Sequence, residues 1–377
     1  MRKSKIYKIL GVLFLLAIIG GGIWYWQLPN RHKAIVKSFL FEKLGVVNPN
    51  WAVENKSETY KMISPEFYID GIYKSMEGPK SSNYVQLSQD STLLWLTGFQ
   101  VKALDSKSLQ YISNDFICHT NVDFNDVNYY GSFHLQKRIG KQYPRLTSLS
   151  HGMENFYLPE GYGVPMKGNE YLYVTTQALN HNLPDVNFWI RHEVDIHYSS
   201  SKNIKPLLSR TAFIMLPFDQ SNPYKSPLDP GTNQCIPVET KNHTYDDGKG
   251  NKLSGHWVIP IGKNTYRSTI NEQLQLQDSL RLHAAAIHVH PFATKISLFD
   301  KTQNKVIFNS TITNHKDKIG LNHIDPFSSI KGIWLYKNHE YEIVLEVNNT
   351  SKIPQDMMGS MFLFFYDKEL DGLLQKN

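Results

Sequence analysis

Beyond residue 50 the apolar residues of this chain come in short runs, and that spacing leaves few folds open. Leu93-Leu94-Trp95-Leu96, residues 171–176, residues 212–216 and residues 341–347 are rich in Val, Ile, Tyr, Phe and Thr, and turn residues separate them. Residues 296–299 and 306–308 flank a short polar turn and read as a hairpin. No long helical periodicity follows residue 50. Many short strands with frequent turns predict antiparallel sandwiches or barrels.

The exception lies at the N-terminus. Residues 9–26 are uncharged and almost wholly apolar, about the length that crosses a bilayer as a helix. Arg2, Lys3, Lys5 and Lys8 precede them and favour a cytoplasmic N-terminus; Trp24, Tyr25 and Trp26 suit the far interface. Trp-Tyr-Trp-Gln-Leu-Pro offers no small-residue cleavage site, so the run reads as an uncleaved signal anchor with an exported body. The 377 residues suffice for two domains after this extension. The expected division is 1–30 anchor, 31–58 juxtamembrane segment, 59–216 first β unit, 217–233 linker and 234–377 second β unit. Ile35, Phe39 and Leu44 suggest a short juxtamembrane helix that Asn48-Pro49-Asn50 breaks, and Pro217, Pro223, Pro227 and Pro230 mark the linker. With 12% aromatic and 20% charged residues the chain is globular; a net charge of +6 without a dense basic stripe argues against a nucleic-acid partner. Cys118 and Cys235 are the only cysteines. They form one disulfide or remain two thiols, and no Cys-x-x-Cys zinc pattern is present.

The chemistry concentrates in Ala286-Ile287-His288-Val289-His290-Pro291. On a strand, His288 and His290 share a face, which makes them half of a metal site or simply a hydrogen-bonded pair. Downstream lies Asp356-Met357-Met358-Gly359-Ser360-Met361, followed by an apolar strand. The methionines are core filler or soft ligands, and a thioether with two imidazoles selects copper.

That pairing resembles the catalytic site of the copper type II, ascorbate-dependent monooxygenases, with Met358 at the ligand position ahead of Met357 and Met361. Phe156-Tyr157-Leu158-Pro159-Glu160-Gly161-Tyr162-Gly163 is similar to the family's Leu-Pro-x-Gly run. Asn180-His181-Asn182 falls at a copper-binding histidine, and Cys118-His119 falls where the family has His-His. The resemblance covers about residues 90–367. It implies an all-β fold of two tandem antiparallel jelly-roll-like sandwiches with one copper each. His119, His181 and Cys118 would hold an electron-transfer copper; His288, His290 and Met358 would hold the copper that meets O₂. It further implies a C–H hydroxylase that uses ascorbate or another reductant on a small organic substrate, in a bacterial envelope. A non-hydroxylating copper or electron-relay protein and a structural envelope protein are the alternatives. Cys118 is a ligand, a buried small residue or the partner of Cys235, and His151 is a substitute ligand or a loop histidine. Ala286 and Phe362 stand where the peptide-amidating members carry an Arg and a Tyr, so carboxylate clamping and peptide amidation are not expected. His283 reads as a neighbour of the site; His134, His243, His256, His315, His323 and His339 read as turn or surface residues.

Overall fold

The computed structural model describes residues 2–217, 219, 221, 245–246, 250 and 252–376. The proposed linker and Cys235 therefore lie almost wholly or wholly outside the described residues, and so does the pairing of Cys235. The chain is mostly β, with an N-terminal apolar helix and sandwich-like sheets.

Helix Arg2–Gln27 carries the apolar run; its segment Tyr7–Gln27 is long and apolar enough to cross a membrane. Helix Asn30–Lys43 follows after Leu28-Pro29, where proline fixes the entry. This second helix is docked on the body. Ala34 is buried, Phe41 packs edge-on to Tyr68 at 5.4 Å and against Trp189 at 5.2 Å, and Lys37 reaches Asp70 and the Tyr73 hydroxyl, the latter at 2.6 Å.

Antiparallel strands build two sandwiches. In the first, the sheet Ala52–Lys56, Thr59–Ile63, Phe188–Ser199, Leu93–Asp105 and Tyr162–Lys167 faces the sheet Lys80–Val85, Leu172–Ala178, Ile117–Phe124 and Arg145–Leu149. In the second, Lys205–Phe213, Gly359–Tyr366, Leu280–Val289 and Phe327–Leu335 face Gly262–Thr269, Tyr341–Asn349, Ala293–Asp300, Lys305–Asn314 and Leu321–Ile324. The expected hairpin is present: Ala293–Asp300 pairs with Lys305–Asn314. Alternating burial explains these strands, as in Lys305–Asn314, where Phe308, Ser310 and Ile312 point inward and their neighbours outward. By contrast, Gly359–Tyr366 and Leu280–Val289 lie mid-sheet and are buried on both faces.

The sandwiches are welded rather than merely adjacent. Lys205–Phe213 pairs in parallel with Tyr162 and Gly163, and antiparallel with Gly359–Tyr366 from Leu207 opposite Tyr366 to Phe213 opposite Ser360. One apolar core runs through both units. Phe156 stacks on Phe364 at 5.5 Å, and a buried ring of this kind is worth about 1.5–3 kcal/mol. The turn at residues 150–153 inserts into the second unit. Met153 Sδ accepts the Ile287 N–H at 3.2 Å, and the Gly152 carbonyl accepts the Ile324 N–H at 2.7 Å. Gly152 has φ +86, and an added Cβ would meet Leu321 Cβ at 2.8 Å, so only glycine lets the turn approach this closely. This junction positions the site.

Candidate functional site

Pro291 supplies no N–H and ends strand Leu280–Val289, so His290 sits just beyond the last ladder bond. Val289 is buried in the core, while His288 and His290 share the opposite face, their rings 5.9 Å apart. In register with them, His288 lies opposite Ser360 and Val289 opposite Gly359. Gly359 is needed there because a Cβ would meet Ile214 Cδ1 at 2.9 Å. One step earlier, the short strand Gln355–Met357 pairs with Trp257–Ile259, which brings Asp356 beside His256.

The result is a compact donor set. Asp356 Oδ2 lies 3.0 Å from His290 Nδ1 and 3.3 Å from His256 Nδ1. Both histidines are buried, while the Asp356 side chain is 37% exposed and opens outward. Burial pushes the Asp356 carboxyl up, but the two imidazoles outweigh it and hold it well below the usual carboxylate range. These distances suit the edges of a metal tetrahedron. Bonds of about 2.05 Å place ligand atoms roughly 3.3 Å apart.

Behind this set lies a chamber of about 20 Å³, enough for one water molecule or ion. Its walls include His119, His256, His288, His290, Met76 and Met358. Four buried polar atoms of its lining residues have no hydrogen-bond partner among the described residues: Asn121 Oδ1, His256 Nε2, His288 Nδ1 and Ser360 Oγ. Burial drives the His288 imidazole well below its ordinary value, and His290, His119, His256 and His151 add to the effect. For the same leading reason His151 falls to about 4 and His181 to about 3. Burial therefore keeps these imidazoles neutral, the form that ligates a metal. In front of the set, a cleft of about 260 Å³ leads to solvent past His181, Lys74, Glu77, Phe292 and Ile353.

The turn at residues 73–79 closes the chamber. Ser75 Oγ lies 3.3 Å from His290 Nε2, and the Met76 N–H donates to Cys118 Sγ at 3.3 Å. Met76 holds φ +65, a left-handed conformation that costs a non-glycine residue about 1–3 kcal/mol.

The two copper sites expected from sequence are therefore not laid out as two. His119, His288, His290 and Met358 surround one chamber; His181 lines the outer cleft, which His290 also reaches. Cys118 is buried, 3.4 Å from His119 Nδ1, and its sulfur meets the Ser75–Met76 turn. Met357 and Met361 are core residues. Ala286 and Phe362 face each other in register, both buried. His151 is a wall histidine of the junction, with Nδ1 on the Ile117 carbonyl at 3.1 Å. His283 is no neighbour of the site; it stacks on Tyr162 at 4.1 Å and bonds the Ser329 carbonyl. His256, expected at the surface, is the missed donor, together with Asp356. They are 100 residues apart, and no local pattern joins them. The one signal was that Asp356 opens the methionine run. Arg145, also missed, lines the chamber and pairs with Asp123 at 2.6 Å.

No family model and no curated protein matches the sequence. Among solved structures the chain is similar to recombinant peptide:N-glycanase F, with 9% identity, 82% of this chain and 96% of that chain covered, and a TM-score of 0.35. It is also similar to PNGase F, described as a glycosylasparaginase from Flavobacterium meningosepticum, at 10% identity, 82% and 96% coverage and TM-score 0.34. The cowpea mosaic virus top component matches at 8% identity, 76% and 89% coverage and TM-score 0.31. At these scores no activity transfers. They do correct the family expectation: the similar solved structures named here are PNGase F and a virus component, and none of them is a copper monooxygenase. The copper monooxygenase, the oxidoreductase assignment and the copper-relay alternative fall with that resemblance. The matches on which it rested were short.

Proposed function

We propose that this is a membrane-tethered, metal-dependent hydrolase of a small molecule, with His256, His290 and Asp356 as the metal holders. The single observation that carries the reading is the convergence of two imidazole nitrogens on one carboxylate oxygen, at 3.0 and 3.3 Å, at the mouth of a buried chamber. Two histidines with a carboxylate favour a zinc-class ion and leave a coordination position open. When bound, such an ion lowers the pKa of its water and supplies a hydroxide nucleophile near neutral pH.

The chain's own residues would do the rest. Ser75 accepts the Nε2 proton of His290 and so presents Nδ1 to the metal, which fixes the tautomer. His288, neutral and with Nδ1 open, offers a nitrogen inside the chamber to a hydrogen-bond donor or to the metal. Arg145, paired with Asp123, lines the chamber wall. The 260 Å³ cleft, part apolar and part charged, sets the size of the substrate. The basic residues before the apolar helix support a body on the exported side. We read each sandwich as a jelly-roll-like unit, a reading supported by the pairing of strands distant in sequence, such as Leu280–Val289 with Gly359–Tyr366.

The test is metal content of the full chain, purified in detergent, by mass spectrometry. One zinc-class ion per chain is expected in wild type, and less than a tenth of that in Asp356→Asn and in His256→Ala. Wild type without stoichiometric metal would sink the proposal, as would copper in place of zinc. A second reading, favoured by the open His256 Nε2 and His288 Nδ1, seats the ion inside the chamber with Asp356 orienting the histidines. Under that reading His288→Ala strips the metal and Asp356→Asn only weakens it.

A further inference from the structure

A larger cleft lies elsewhere. Leu282 and Phe365 are partners near one end of the central strand pair, and Val289 and Gly359 are partners at the other. Seven residues at about 3.4 Å each put roughly 24 Å between the two ends. The histidine site occupies the Val289 end; a cleft of about 1000 Å³ occupies the Leu280 and Tyr366 end.

This cleft is basic beyond its internal pairing. Lys137 binds Glu369 at 2.7 Å, and Arg138 binds Asp367 at 2.5 Å. Setting those pairs aside leaves Lys141, Arg210, Arg281 and Lys368 against Asp278 on the lining. Arg210 is the unusual member. It is only 9% exposed, and no carboxylate lies within ion-pair distance of it among the described residues. Its guanidinium is held by the Leu274 carbonyl at 3.2 Å and the Ser209 carbonyl at 3.1 Å. Burial pushes its pKa below the usual range and Arg138 adds repulsion, while Tyr130 and the Asp367 carboxylate attract it. That carboxylate is already bonded to Arg138, so the buried Arg210 cation is only partly compensated, and an anion entering the cleft offsets the remaining cost. The other walls point to the kind of anion. Trp334 is 44% exposed, with Arg281 over its ring at 4.8 Å, and Gln142, Gln275 and Gln277 supply amides. An open aromatic ring packs against a sugar face, and amides bond hydroxyls. The volume exceeds that of a simple inorganic ion many times over.

We propose that this cleft binds a segment of acidic polysaccharide, carboxylated or sulfated, with Arg210 and Lys141 taking the anionic groups and Trp334 a sugar ring. This surface is independent of the histidine site and of the reaction proposed for it.

Calorimetry on the full chain in neutral detergent tests the proposal with four probes: an oligogalacturonate hexamer, a heparin-derived hexasaccharide, neutral maltohexaose and a single-stranded DNA 12-mer. At least one acidic hexasaccharide should bind at least tenfold more tightly than maltohexaose, and binding should weaken as salt rises. The combined exposed changes Lys141→Glu, Arg281→Glu and Lys368→Glu should lower that affinity at least tenfold with an unchanged circular dichroism spectrum. Arg210→Lys should weaken binding less, because one point charge replaces a forked donor. Failure of both acidic hexasaccharides to bind overturns the proposal. So does undiminished binding by the triple variant, or DNA binding as tight as that of the glycans.

Discussion

Arg138→Ala tests how the two sandwiches are joined. Arg138 belongs to the first unit and Asp367 to the end of the second. Their side chains are 13% and 3% exposed, and two hydrogen bonds of 2.5 and 2.9 Å join them. Burial pushes the Arg138 guanidinium down in pKa, but Asp367 outweighs it and the net shift is upward. Removing the arginine strands a buried carboxylate, which costs about 3–5 kcal/mol. Asp367 keeps one partner, the Leu370 N–H at 3.1 Å that it caps, so the lower end applies. The arm to Glu369, which is 41% exposed, adds less than about 1 kcal/mol. We expect about 3 kcal/mol, and a fall in Tm of roughly 6–12 °C at 2–4 °C per kcal/mol. Urea unfolding of the full chain in detergent measures the first, and differential scanning fluorimetry the second. In an Asp367→Asn background, where no charge is stranded, Arg138→Ala should cost about 1 kcal/mol or less. A cost below about 1 kcal/mol in wild type, or equal costs in both backgrounds, would refute the buried-pair argument.

Two further outcomes follow from the junction. Asp115 of the first unit holds Lys318 and, at 3.4 Å, His315 of the second. Burial raises its pKa, but Lys318 and its neighbours outweigh burial and the net shift is downward. Its contribution is therefore complete above the unfolded carboxyl value of about 3.9 and is lost as pH falls through the lower folded value. Hydrogen exchange of residues 315–320 should accelerate below about pH 4 in wild type, and Lys318→Ala should abolish that step; an unchanged step would remove Asp115 as its source. Gly78→Ala would put a Cβ 2.1 Å from the Ala178 carbonyl oxygen and displace the turn that carries Ser75 and Met76. It should cost about 3 kcal/mol, the upper end for overpacking, and lower metal retention by releasing His290; wild-type stability and retention would count against the turn as the chamber's closure.

How much was legible depends on the distance over which each feature is encoded. The apolar run, the helix after it and the alternating strands are local patterns, so residues 9–26, 296–299 and 306–308 showed what they would form. The shared face of His288 and His290 was equally readable, because a strand's period of two leaves no choice. Local order also misled. The resemblance treated Cys118, His119 and His181 as one metal site and His288, His290 and Met358 as another, whereas the fold draws members of both sets around one junction. His256 and Asp356 could not be found from sequence because strand pairing across 100 residues brings them together. The same holds for Arg210, which the fold buries beside an Asp367 carboxylate that Arg138 already engages.

Backbone periodicity and side-chain polarity are enough to specify a membrane-length helix, a β-rich body and a pair of histidines on one strand face. Which donors meet His290, what closes the chamber over it and where positive charge collects follow from the folded arrangement, because those depend on which distant strands pair and on what that contact removes from water.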